Sequence, residues 1–256
     1  MNDNPYSMIK LYPMEGKRFY LACCIKHTQC KFLIDTGAEK SRICTLLAEK
    51  LDLPKNISKG RFYVEANLEL GQTKNPCVQF YLEDENCRMD CINAKLSNVH
   101  LDGIIGMDFL RWHTFSFDYR DYQHPKAFLW RILDLTNKST LVIERDKSSR
   151  PLVFSQISGK QCKILLDTGA DHSEINFKDE KWSLKTKNAP YGTPTSYEEN
   201  KKLVIATGLT VSLASNHMST FSPLITDGKE EPLLGTDTLQ GYVLQYEGKG
   251  RYTIGK

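Results

Sequence analysis

Two decapeptides in this 256-residue chain each end an apolar run in a carboxylate. They are QCKFLIDTGA at 29–38 and QCKILLDTGA at 161–170, identical at eight of ten positions. Asp35 and Asp167 are therefore the first candidates for chemistry. A lone Asp-Thr-Gly says little, because aspartate and glycine are ordinary turn residues. Here Phe32-Leu33-Ile34 and Ile164-Leu165-Leu166 read as buried strands that deliver their aspartate at the strand end. A carboxylate so placed costs desolvation unless it is satisfied or used. Gly37 and Gly169 follow two residues later, where backbone can come close to a ligand.

If an internal two-fold axis brings the two carboxyls together, they cannot both ionise easily; they share a proton and titrate in coupled steps. The ionised member can then act as general base on a bound water. The protonated member polarises or protonates a carbonyl. That is machinery for opening a peptide bond without a metal, a cofactor or a covalent intermediate.

A second shared signal supports duplication. DGIIGMDFL (102–110) and EPLLGTDTL (231–239) share the pattern apolar-apolar-Gly-x-Asp-x-Leu. Gly106 follows Asp35 by 71 residues and Gly235 follows Asp167 by 68. Two motifs in the same order at nearly the same spacing indicate two copies of one fold.

The elements that must position these residues are mostly strands. Runs such as RFYLACCI, VQFYL, TFSFDY, AFLWRI, PLVFSQI, KLVIA, GYVLQY and RYTIG are short and rich in β-branched and aromatic residues. SRICTLLAEKLDLP reads as a helix with Ile43, Leu46, Leu47 and Leu51 on one face and Pro54 closing it. Short helices are expected after each Gly-x-Asp, beginning near FLRW and TLQG, with Asp108 and Asp237 as caps. The DKSSRP stretch is the linker candidate, giving a first lobe at 1–148 and a second at 149–256.

These motifs resemble those of aspartic peptidases, and most closely the retropepsins of retroviruses and retrotransposons. LIDTGAEKS (33–41) with IIGMDFL and LLDTGADHS (165–173) with LLGTDTL carry the resemblance. It implies an all-β fold: two retropepsin-like β-barrel lobes related by pseudo-two-fold symmetry, with Asp35 and Asp167 as the dyad of an aspartic endopeptidase. Thr36 and Thr168 would bond across the lobe junction. Ser41 and Ser173 would support the active-site loops, and Gly106 and Gly235 would pack behind them. Gly37, Ala38 and Glu39, with Gly169, Ala170 and Asp171, would face substrate. Ala38 and Ala170 stand where pepsin-like enzymes have a hydroxyl residue. One donor fewer makes the ionised form less favoured and implies activity at mildly acidic pH.

The chain departs from the family pattern in three ways. Retropepsins commonly pair two subunits, whereas both motifs here lie in one polypeptide, so a monomeric pseudo-dimer is expected. Met107 and Thr236 replace a common arginine, removing its ion pair with Glu39 or Asp171. The stretches between the motifs have diverged. The expected lids are therefore unequal hairpins: 63–79, turning near Gly71 or Lys74-Asn75, and a more polar one in 191–208.

Other readings compete. The rival function is a catalytically silent, two-lobed peptide- or protein-binding module; a weaker one is dimerisation through sheets formed by the chain termini. Cys87-x-x-x-Cys91 with His100 and His113 allows a zinc site, although no second cysteine pair follows; the preferred assignment is no metal and no cofactor. Cys30 and Cys162 read as small core residues. His172 is either a solvent-facing loop residue or a subsite contact. Phe115, Phe117, Tyr119, Phe128 and Trp130 read as hairpin core, and Gly248-Lys249-Gly250 as a hairpin turn.

Composition narrows the rest. The chain is 40% hydrophobic and 25% charged; 34 basic and 31 acidic residues leave +3. That near balance, without a basic block, gives nucleic-acid binding no electrostatic footprint. No apolar run approaches the roughly 20 residues that span a bilayer, and the N-terminus lacks a signal-peptide pattern. A cytoplasmic protein made directly in this form is the expectation, with eight cysteines as thiols. Its expected partner is a polypeptide substrate.

Overall fold

The computed structural model describes residues 8–70, 76–82, 99–145, 149–176, 182–193, 196–215, 217–226 and 232–256. In the first repeat the strands are β1 (Ile9–Pro13), β2 (Phe19–Ile25), β3 (Thr28–Ile34), β4 (Arg42–Ile43), β5 (Asn56–Ser58), β6 (Arg61–Asn67), β7 (Cys77–Leu82), β8 (Gly103–Ile105), β9 (Phe115–Asp118) and β10 (Lys126–Leu129). Helices α1 (Thr45–Lys50) and α2 (Met107–Leu110) interrupt them. The second repeat holds β11 (Ser139–Thr140), β12 (Ile143–Arg145), β13 (Pro151–Ile157), β14 (Lys160–Leu166), β15 (Glu174–Ile175), β16 (Ser183–Thr193), β17 (Ser196–Thr207), β18 (Leu209–Ala214), β19 (His217–Phe221), β20 (Leu224–Ile225) and β21 (Leu233–Leu234). A 3₁₀ turn (Thr236–Leu239) and strands β22 (Val243–Tyr246) and β23 (Tyr252–Gly255) complete it. The chain is all-β with two curled lobes, as the motifs led one to expect.

Strand pairing repeats between the lobes. β3 pairs antiparallel with β2 and parallel with β8; β14 does the same with β13 and β21. Alternation along β2 (Phe19, Leu21, Cys23 and Ile25 buried) and β13 (Pro151, Val153, Ser155 and Ile157 buried) turns one face of each hairpin into its lobe's core. The far ends of β3 and β14, at Phe32-Leu33-Ile34 and Ile164-Leu165-Leu166, are buried throughout.

The lobes are joined by one shared sheet in the order β11-β23-β22-β9-β10-β1. At its centre Phe115, Ser116, Phe117 and Asp118 of β9 face Tyr246, Gln245, Leu244 and Val243 of β22. The terminal strands that the sequence offered as a dimer surface are thus paired within the chain. β1 crosses from this sheet into β2 unbroken. Its counterpart is split: β11 pairs β23, and β12 pairs β13. Both pieces precede the 148/149 division yet bond to strands of the second repeat. Phe115, Phe117, Tyr119, Phe128 and Trp130 are all buried, and Gly248-Lys249-Gly250 turns β22 into β23.

Three local expectations are corrected. The first helix is only Thr45–Lys50, because Arg42 and Ile43 are taken into β4, between β7 and β8. Leu46 is consequently 68% exposed, while Leu51 faces the core as expected and Ala48 and Leu53 join it. The helices after Gly-x-Asp begin earlier than expected, with Gly106 and Gly235 in the cap positions and no side-chain cap bond; the aspartates do other work, described below.

The third correction concerns the lids. The β6–β7 hairpin does form, but its far end bonds to the β2–β3 hairpin: Cys24 and Glu69 exchange backbone bonds of 3.1 and 2.8 Å. That end is opposite to the one where β3 delivers Asp35. By strand pairing, β5–β6 is the counterpart of β16–β17: β6 pairs β7, which runs parallel to β4, just as β17 pairs β20, which runs parallel to β15. The β5–β6 hairpin has three residue pairs and turns at Lys59-Gly60, while β16–β17 has ten. The expected turn at 71–75 lies outside the described residues.

His217 is buried, with Leu213 N–H donating to Nδ1 (3.3 Å), so Nε2–H donates to the Thr238 carbonyl (3.2 Å). Only the neutral ring satisfies both. Burial lowers its pKa from 6.5 to about 4, and burial does the same to His113. The unfolded chain takes up these protons near pH 6.5, the folded chain only near 4. Stability from this source is full above 6.5 and drains as pH falls towards 4. Urea titrations of His217→Gln should show a shallower loss over that interval than wild type; an unchanged slope would contradict the assignment. The seam is tested by Phe117→Ala. Phe117 is fully buried, with ring centroids 5.7 Å from Phe19 and 5.5 Å from Phe115. Its truncation should cost about 3–5 kcal/mol in chemical denaturation.

Candidate active site

β3 and β14 end at the lobe junction and bring Asp35 and Asp167 together. The Asp35 N–H donates to the Ile105 carbonyl (3.1 Å) and the Asp167 N–H to the Leu234 carbonyl (2.9 Å). The motif strands are thus fastened to β8 and β21 up to the catalytic candidates themselves. The two carboxyl groups hydrogen-bond to one another. Both aspartates are half-buried.

The glycines explain how they come so close. A Cβ placed on Gly37 would lie 2.4 Å from the Asp167 carboxyl carbon; one on Gly169 would lie 2.5 Å from that of Asp35. Each motif's glycine is the space into which the other motif's carboxyl fits. Each carboxylate also accepts from its own loop, Asp35 from Ala38 N–H (2.9 Å) and Asp167 from Gly169 N–H (2.8 Å).

Thr36 and Thr168, both buried, lock the loops across the junction. The Thr36 N–H donates to Thr168 Oγ1 (3.2 Å) and the Thr168 N–H to Thr36 Oγ1 (3.0 Å). Each hydroxyl then donates to the opposite strand end, Thr36 to the Leu166 carbonyl (2.7 Å) and Thr168 to the Ile34 carbonyl (3.3 Å). Four bonds close into one network that neither lobe can make alone.

Behind each loop sits a serine–aspartate brace. Ser41 Oγ donates to Asp108 Oδ1 (2.7 Å) and accepts from Gly106 N–H (3.0 Å). Ser173 Oγ donates to Asp237 Oδ1 (2.6 Å) and accepts from Gly235 N–H (3.0 Å). Asp108 and Asp237 therefore reach back to the active-site loops, and Asp108 Oδ1 also accepts from Phe109 N–H in its own helical turn (3.0 Å). Gly106 and Gly235 pack tightly, because a Cβ at either would lie 2.8 Å from loop backbone. The loop carbonyls of Ala38 and Ala170 accept from Met107 N–H (2.9 Å) and Thr236 N–H (3.0 Å).

Burial is the main cause that raises both dyad carboxyls above the usual range. At Asp167 the charge of Asp35 and the bond between them add to burial in favouring the proton. Asp35 is held back by accepting that bond, by the amides of Ala38 and Gly37, and by the charge of Arg42.

Among the remaining candidates, Glu39 and His172 are exposed and Asp171 is half-buried. Asp171 packs on Gly16, where a Cβ would lie 2.3 Å from the Asp171 Cβ and φ is +72°. Thr236 Oγ1 donates to the Gly16 carbonyl (2.8 Å). Where relatives use an arginine, the second loop is pinned by a turn of the first lobe. Gly16 belongs to neither motif, so no sequence signal singled it out. Cys87 and Cys91 lie outside the described residues, and among those described no cluster of three metal-ligating side chains occurs. Cys30 is buried and Cys162 half-buried, with its Sγ 3.2 Å from Ser155 Oγ.

Removing one threonine hydroxyl orphans a buried N–H and a carbonyl on the other lobe. Thr36→Val should therefore cost about 2–4 kcal/mol in denaturant titration. Thr36→Val/Thr168→Val should cost less than the sum of the singles, since the four bonds form one unit. Strict additivity would show that the network is not cooperative.

Residues 147–246 match the family model described as retroviral aspartyl protease. Among solved structures, the fold resembles basic 7S globulin from soybean (9% identity, 98% of this chain and 97% of that chain, TM-score 0.51). It also resembles conglutin gamma, a basic 7S globulin from lupine seeds (8% identity, 97% and 94%, TM-score 0.53). At such identities the likeness speaks for the fold alone. No curated protein matches the chain. The second repeat thus matches the retroviral aspartyl protease model, and the chain as a whole has a two-lobed fold like that of these solved structures.

Proposed function

We propose that this protein is an aspartic endopeptidase that works as a monomeric pseudo-dimer on a polypeptide substrate in the cytoplasm. The observation that carries the reading is the paired carboxyls at the lobe junction, each seated against the other motif's glycine. A water held between them gives its proton to the ionised carboxylate as it attacks the scissile carbonyl carbon. The protonated carboxyl hydrogen-bonds the carbonyl oxygen and passes its proton there, forming a neutral tetrahedral diol. Return of a proton to the peptide nitrogen lets the C–N bond break. Buried donors already in place lower the reorganisation that this charge movement requires.

The reaction needs one proton on the pair. Activity falls as pH drops through the lower apparent pKa and again as it rises through the upper one. Because burial raises both groups, kcat/KM should be bell-shaped with a mildly acidic optimum. Digestion of a fluorogenic peptide library tests the proposal. Asp35→Asn and Asp167→Asn should each lose at least about 10³-fold in kcat/KM. Cleavage that survives either substitution would reject the dyad.

A second reading is a peptide- or protein-binding module of the same fold. What favours keeping it is that two solved structures it resembles are named as globulins. Binding of library peptides without cleavage by wild type would select it.

A further inference from the structure

Gly-x-Asp recurs in both halves, but its middle residue differs: Met107 in the first and Thr236 in the second. The two side chains have little chemistry in common, yet each meets the opposite lobe. Thr236 Oγ1 donates to the Gly16 carbonyl of the first lobe (2.8 Å). Met107 Sδ accepts from the hydroxyl of Tyr252, on β23 of the second repeat (3.7 Å). Resting on the reading of Asp35 and Asp167 as a working pair, we propose that Met107 and Thr236 are positioning residues that fix the separation of the two carboxyls from behind their loops.

Each stands in a short chain of bonds that starts at a carboxyl and ends on the other lobe. Asp35 accepts from the Ala38 N–H (2.9 Å), and the Ala38 carbonyl accepts from the Met107 N–H (2.9 Å). Met107 Sδ then takes the Tyr252 hydroxyl. On the other side Asp167 accepts from the Gly169 N–H (2.8 Å). The carbonyl of the next residue, Ala170, accepts from the Thr236 N–H (3.0 Å), and the Thr236 hydroxyl reaches Gly16. Met107, Thr236 and Tyr252 are all buried, so these bonds lie in a low-dielectric interior where losing a partner is costly. The threonine network holds the loops at their strand ends. Bonds at one place leave a loop able to tilt about them, and a second tie behind it removes that freedom.

The turn behind each loop meets the opposite lobe again further along. Tyr246 stacks on Tyr252 with ring centroids 4.8 Å apart and donates its hydroxyl to the Arg111 carbonyl (2.9 Å), at the end of α2. Past the second turn, the Gly241 N–H donates to the Tyr119 carbonyl of the first lobe (2.9 Å). The two ties are unequal in strength. A hydroxyl bonded to a carbonyl is the stronger pairing, because a thioether is a weak acceptor. Space adds a constraint on the Thr236 side alone: Gly16 has φ +72°, and a Cβ there would lie 2.3 Å from the Asp171 Cβ. The second loop is therefore the more firmly set.

The test reads the separation of the pair and needs no turnover. Two carboxyls that share a proton titrate in two steps, and the gap between the midpoints grows with their interaction. Aspartate labelled with ¹³C at Cγ is titrated by NMR, the pair being assigned by signals lost in Asp35→Asn and Asp167→Asn. Thr236→Val changes no charge, so a changed gap reports geometry. It should narrow the gap by about half a pH unit or more, roughly a threefold fall in the coupling between the sites. Thr236→Ser keeps the hydroxyl and should retain the wild-type gap. Tyr252→Phe should narrow it less than Thr236→Val, because the bond it removes is weaker. Ile157→Val, at the far end of the β13–β14 hairpin, loosens the same lobe's core and should leave the gap unchanged. A gap untouched by Thr236→Val, a Ser variant that behaves like Val, or equal narrowing by Ile157→Val would overturn the positioning role. A wild type that shows no gap at all would instead reject the working pair, and the positioning role with it.

Discussion

The structure turns on the desolvation of two carboxyl groups in one small space. Neither lobe could hold such a group at a strand end alone without exposing it or leaving it unsatisfied. Fusion of the lobes supplies what each lacks: a glycine that makes room, an opposite carboxyl that shares a proton, and a threonine hydroxyl that reaches a carbonyl on the other side. The site is thus a property of the junction, and its stability and its chemistry rest on the same bonds. Buried polar networks of this kind are strong only when every member is satisfied, and the threonine and serine sets here meet that condition.

What holds the junction is a sheet of non-local pairings. β9 and β22, about half a chain apart, lie side by side, and their inward faces carry Phe115, Phe117, Leu244 and Tyr246 into a core continuous between the lobes. The pseudo-symmetry is good enough for each lobe to contribute equivalent strands, yet it is broken where the first strand of the second repeat is cut into β11 and β12. It is broken again at the lids, where β16–β17 is far longer than β5–β6, and at the turn around Gly16, which clasps only the second loop. A duplicated site with unequal surroundings thus gives chemically identical carboxyls different neighbours.

The motifs, their duplication and the meeting of Asp35 with Asp167 were legible from the chain alone. Asp-Thr-Gly-Ala and Gly-x-Asp repeat at matched spacings, and the apolar runs before each aspartate mark buried strands. These are short-range patterns, fixed by side-chain type and period. The misread features all depend on distant partners. Ile43 looked helical by spacing but belongs to β4 because β7 and β8 recruit it. Asp108 and Asp237 looked like caps because the bonds they make, to Ser41 and Ser173, join residues more than 60 positions apart.

By itself, then, the sequence determined that two equivalent aspartates would stand at the ends of two buried strands, since repetition and hydrophobic pattern are written locally. Only the tertiary structure decided which hairpin corresponds to the long β16–β17 hairpin, which face of α1 is buried, and that Gly16 bears on Asp171. Those outcomes depend on which strands pair across the chain. Loop closure and packing select the pairings from many that local propensity allows equally.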